Sequence, residues 1–83
     1  MEKSIHTKEY ALLLEMLRAE REQAGLTQQE VAARLNMTQT FVSKCERGER
    51  RLDIVELRAW CSAINTTMSE FVFRFDAACK SSV

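Results

Sequence analysis

A chain of 83 residues, 46% of them hydrophobic and 29% charged, has room for one small domain and is too rich in apolar groups to stay disordered. No apolar run approaches the roughly 18 residues of a membrane span, and Glu2, Glu9, Glu15 and Glu20 interrupt any secretion signal, so a cytoplasmic location is expected. Twelve basic residues balance twelve acidic ones, so the overall charge supplies little nonspecific attraction to a polyanion.

The periodicity along the chain is 3.6 throughout, without proline and without strict apolar alternation, which predicts an all-α fold of five helices in a single domain over residues 1–83, its core about 7–79. The first helix is expected from about Thr7 to Ala24, with Tyr10, Leu13, Leu14, Leu17 and Ala24 inward and Gly25 as its left-handed stop. Thr27 and Glu30 form a capping box that opens a second helix ending near Leu35. Asn36 suits the left-handed geometry of a tight turn, and Thr38 can then cap a third helix that ends near Gly48. Asp53 and Glu56 repeat the box for a fourth helix with an apolar stripe of Ile54, Leu57, Trp60, Cys61 and Ile64. Thr67 and Glu70 do so once more, ahead of a fifth helix with Met68, Phe71, Val72, Phe75 and Cys79 on one side and Phe73 off it. Residues 1–6 and 80–83 are expected to fray.

Little here resembles an active site. The three cysteines, Cys45, Cys61 and Cys79, are widely spaced and odd in number, and are expected to be reduced thiols acting as small hydrophobes. His6 is a lone histidine near the N-terminus, and two glycines cannot build a phosphate-cradling loop. The chain is therefore expected to be no enzyme and to hold no metal or cofactor.

The third helix is the informative one. Phe41, Val42 and Cys45 share one side and should face the core, which leaves Gln39, Thr40, Ser43, Lys44 and Arg47 outward. Glutamine can bond adenine through two atoms, lysine can donate to guanine, and serine and threonine can bond bases or meet a thymine methyl, while arginine grips phosphate. A merely solvated polar face has the same periodicity.

Residues 21–51 decide between the two. Arg21, Ala24-Gly25-Leu26-Thr27-Gln28, Glu30-Val31-Ala32, Leu35, Phe41-Val42-Ser43-Lys44 and Glu46-Arg47-Gly48-Glu49-Arg50-Arg51 follow the pattern R..AGLTQ.ELA..LG.S...IS..E.G.R. The chain thus resembles the lambda-repressor and Cro-like helix-turn-helix proteins, the XRE family, with the helix-turn-helix at about 27–48. That resemblance implies a compact lambda-repressor-like domain that binds double-stranded DNA. It places Gln39, Thr40, Ser43 and Lys44 on base edges, and Thr27, Gln28, Arg47 and Arg50 on phosphates. It also implies that Gln28 braces Gln39 and that Arg21 and Glu46 form a structural ion pair. Asn36 stands where the family has a turn glycine, and Cys45 where it has a larger aliphatic residue.

Charge leans the same way: residues 27–51 hold five basic and three acidic side chains, a local net of +2. Weak attraction per monomer makes a homodimer on a palindromic operator the expected form. Phe73, Leu12 and Met16 are the apolar residues in excess of one small core and are the expected interface. The function expected is a transcriptional regulator acting as a repressor; the alternative is a protein-interaction module, an antitoxin or adaptor, on the same scaffold.

Overall fold

Each helix starts where a side chain can satisfy its open amides. The computed structural model describes residues 7–82, and in it the chain forms α1 (Lys8–Gln23), α2 (Gln28–Leu35), α3 (Gln39–Glu46), α4 (Ile54–Ala63) and α5 (Met68–Ser82). Among the described residues there is no strand. Thr7 accepts from the Tyr10 amide to open α1, Thr38 from that of Phe41 to open α3, and full capping boxes at Thr27–Glu30 and Asp53–Glu56 open α2 and α4. At α5 only half a box forms. The Glu70 amide bonds the Thr67 hydroxyl at 3.1 Å, but the Glu70 carboxylate faces the Thr66 hydroxyl at 3.5 Å instead of returning to the Thr67 backbone.

The turns between helices use positive φ. Gly25 at 74° ends α1, Asn36 at 58° separates α2 from α3, and Gly48 at 79° follows α3. Asn65, at 67°, is a further left-handed residue, not among those expected. It ends α4 and accepts from Arg34 at 3.1 Å, while Arg34 also donates to the Ala63 carbonyl at 2.8 Å, so one arginine ties the end of α2 to the end of α4.

The core is one cluster in which Leu17, Leu26, Val31, Val42, Cys45, Trp60, Cys61, Ile64 and Phe71 are buried, with Leu13, Met16, Leu35, Phe41, Leu57 and Phe75 packed against it. All five helices contribute. Phe41 tilts onto Trp60 with ring centroids 6.4 Å apart, which presses α3 against α4. Tyr10 is buried and its hydroxyl accepts from the Leu52 amide at 3.1 Å, so α1 also pins the segment joining α3 to α4.

Three further expectations need correcting. Ile54 is 69% exposed, not part of the α4 stripe, because the first residue of that helix lies a full turn ahead of Leu57, before the helix reaches the core. Val72 is 40% exposed, since α5 buries the line from Phe71 to Phe75 and Val72 turns away from it beside Phe73. Residues 80–82 belong to α5: Lys80 pairs with Asp76 one turn back at 3.3 Å, Ser81 donates to the Ala77 carbonyl at 3.2 Å, and no glycine or proline stops the helix there.

Cys45 and Cys61 are buried and Cys79 half-buried. Burial pushes all three thiols up, Cys61 to about 11, which favours their protonated form near neutral pH. His6 lies outside the described residues. No described helix is long and apolar enough to cross a membrane.

Candidate nucleic-acid interface

The outer face of α3 is built by what its inner face buries. With Val42 and Cys45 fully enclosed, Gln39, Thr40 and Lys44 are exposed, and Ser43 is half-buried because the Arg47 guanidinium donates to its hydroxyl. Lys44 has no ion-pair partner among the described residues, so its ammonium is open to a ligand.

Behind that face runs a chain of hydrogen bonds through three helices. Arg21, only 9% exposed, donates from Nε to Glu46 Oε2 at 2.7 Å, from Nη2 to Glu46 Oε1 at 3.1 Å and from Nη1 to the Leu26 carbonyl at 2.9 Å. Gln28 Nε2 donates to the same Glu46 Oε1 at 2.9 Å, and Gln39 Nε2 donates to Gln28 Oε1 at 2.7 Å. The order is set by chemistry. A carboxylate only accepts, so Gln28 must turn its NH₂ toward Glu46 and its oxygen toward Gln39. Gln39 must then use one N–H inward, which leaves its Oε1 and its second N–H without a partner among the described residues. The pattern R…Q…E spells out none of this beyond the Arg21–Glu46 and Gln28–Gln39 pairs; the Gln28–Glu46 bond that joins them is visible only in the fold.

The residues expected on phosphates are more occupied than their types suggest. At the start of α2, the Thr27 amide donates to Glu30 Oε1 at 2.9 Å and its hydroxyl caps the Glu30 amide at 3.1 Å, so the amides open to an anion at that end are those of Gln28 and Gln29. Arg47 is closed on Glu49 at 2.8 and 3.2 Å. Arg50 is closed on Glu56 at 2.9 and 2.8 Å, donates to the Arg51 carbonyl at 2.9 Å, and lies over the Phe41 ring with its central carbon 4.9 Å from the centroid. Its hydrogen bond, followed by that from the Asp53 amide, holds the Glu56 carboxyl below the usual carboxylate range, and Arg47 does the same to Glu49. Arg51, three residues before the start of α4, stacks over Tyr10 at 4.3 Å.

The apolar residues expected between copies are unevenly available. Phe73 is 76% exposed, Leu12 is half-buried, and Met16 packs against the core of its own chain. Arg74, beside Phe73, reaches Glu20 of α1 at 2.9 Å.

Residues 17–71 match the model of the helix-turn-helix family. A solved structure of an XRE-family like protein from Pseudomonas syringae pv. tomato str. DC3000 is similar at 43% identity and a TM-score of 0.84, covering 90% of this chain and 92% of that one. The restriction-modification controller protein C.Esp1396I, solved as a tetramer in complex with its natural 35 base-pair operator, shares the fold at 21% identity and a TM-score of 0.79, covering 87% of this chain and 95% of that one. The clp gene regulator ClgR from C. glutamicum does so at 21% identity and a TM-score of 0.74, over 86% of this chain and 91% of that one. No curated protein matches the chain.

Proposed function

The chain belongs to the XRE-type helix-turn-helix family, and on that footing we propose that it is a sequence-specific transcriptional regulator, a cytoplasmic repressor that binds double-stranded DNA as a single domain and without a cofactor. The observation that carries this reading is the bracing of the exposed Gln39 amide through Gln28 and Glu46 to a buried arginine. A solvated surface helix has no need of such bracing. A base-reading side chain does, because a fixed amide loses less rotamer freedom when it meets adenine.

In this reading α3 lies in the major groove with Gln39, Thr40, Ser43 and Lys44 on base edges, and the open end of α2, at Thr27 and Gln28, faces a phosphate. Arg47 and Arg50 meet flanking phosphates and set register. C.Esp1396I, bound to its operator on the same fold, supports the docking mode. Two copies joined through Phe73 and Leu12, with Met16 at the margin, read the two halves of a palindrome.

Selection of binding sites from a random duplex library is the direct test. A palindrome with half-sites about one helical turn apart is expected; binding that falls steeply with salt and prefers no sequence would remove the reading role of α3. The assembly has its own check. Phe73→Asp places a charge on a side chain that its own core does not use, so the variant is expected to stay folded and to be monomeric in light scattering. A dimer that survives the change puts the interface elsewhere.

A further inference from the structure

Both arginines assigned to phosphates already hold a carboxylate in the fork a phosphate would occupy. Arg50 grips Glu56 with two nitrogens at 2.9 and 2.8 Å, and Arg47 grips Glu49 at 2.8 and 3.2 Å. We propose that Glu49 and Glu56 are internal competitors for DNA phosphate, so that these arginines reach a duplex only by exchanging one anion for another. The inference rests on the reading of Arg47 and Arg50 as phosphate residues, and it names a built-in brake on that binding.

The two pairs are not equivalent. Glu56 is anchored: its Oε1 also accepts from the Asp53 amide at 2.9 Å as part of the α4 capping box, so the carboxylate cannot follow the arginine toward a backbone. Arg50 is held as well, over the Phe41 ring and bonded to the Arg51 carbonyl. Planar two-point contact between guanidinium and carboxylate is the strongest form such a pair takes. Glu49 sits on the exposed turn after α3, and its pair with Arg47 is about half exposed on both sides. Both pairs are two-point and solvent-exposed, and exposed pairs are screened and weak, but Glu56 is the less exposed carboxylate, 29% against 53% for Glu49, and the one tied to a capping box, so Glu56 is the main brake and Glu49 a minor one. The brake also accounts for how a chain with five basic residues between 27 and 51 leaves Lys44 as the open cation on the reading face.

A labelled mixed-sequence duplex, titrated with the full chain and followed by fluorescence anisotropy, tests this without any operator being known. Glu56→Gln keeps the capping box, since glutamine serves at that position, and frees the arginine. It is expected to bind about fivefold tighter than the parent, and Glu49→Gln about twofold tighter. Simple removal of a repelling charge would also tighten binding, so the cycle with Arg50→Ala decides: in that background Glu56→Gln is expected to change nothing, and in Arg47→Ala the same holds for Glu49→Gln. An equal gain with and without the arginine overturns the exchange, as does a folded Glu56→Gln variant that binds no tighter. If neither the parent nor any variant binds duplex, the regulator reading falls and the brake falls with it.

Discussion

Glu46→Ala is expected to destabilise the fold by about 3–5 kcal/mol, a large part of what a domain of this size possesses. Arg21 keeps one hydrogen bond, to the Leu26 carbonyl, and loses both bonds to Glu46 while remaining only 9% exposed. A guanidinium in that position cannot regain water without opening the contact between α1 and α3, so the cost is that of a stranded charge. Urea unfolding followed by the fluorescence of Trp60, the only tryptophan in the chain, measures it. A companion variant separates charge from packing. Arg21→Met with Glu46→Leu removes both charges at similar volume and is expected to recover part of the loss, because no charge is stranded although Gln28 Nε2 and the Leu26 carbonyl lose their partners. A loss below about 1 kcal/mol for Glu46→Ala would mean that Arg21 finds water in the native state, as exposed pairs do.

The parts of the fold legible in the sequence were those decided within one helical turn. Thr27 with Glu30, and Asp53 with Glu56, are boxes whose partners lie three residues apart, so residue type alone marks them. Asn36 between two helical patterns marks a left-handed turn for the same reason. Asn65 stands between two helical patterns as Asn36 does, and the same local signal would have marked its left-handed turn; its bond from Arg34 of another helix is what only the fold reveals. Periodicity found the stripes of α4 and α5 but not their limits: Ile54 lies at the start of α4, before the helix reaches the core, and Val72 lies to the side of the buried line from Phe71 to Phe75. The outward face of α3 follows from periodicity and its expected role from resemblance, whereas the closure of Arg50 on Glu56 spans a turn whose path no local pattern specifies.

That closure changes how the interface is understood. A count of arginines between α3 and α4 suggests a surface prepared for phosphate; the pairs with Glu49 and Glu56 show much of that charge answered within the chain. What remains exposed on the outer face of α3 is Gln39, Thr40 and Lys44. On the proposed reading, affinity rests more heavily on side chains that distinguish sequences, and less on the field that draws any basic protein to DNA.

The second large effect follows from this division. Gln39→Ala is expected to cost about 1–3 kcal/mol on the selected operator and almost nothing on random duplex, because a neutral amide contributes to base discrimination and not to counterion release. Lys44→Ala is expected to cost a similar 1–3 kcal/mol on the operator but also to weaken random binding, since the ammonium serves both terms. Gln28→Ala tests the bracing itself. It leaves Gln39 in place but removes the oxygen that holds its Nε2 at 2.7 Å, so part of the Gln39→Ala loss should appear, and the double variant should lose less than the sum of the two. Strict additivity would show that Gln39 takes its working orientation from the DNA alone. Equal losses of Gln39→Ala on operator and random duplex would move the reading contact off that residue, because an interaction blind to sequence cannot be made to a base edge.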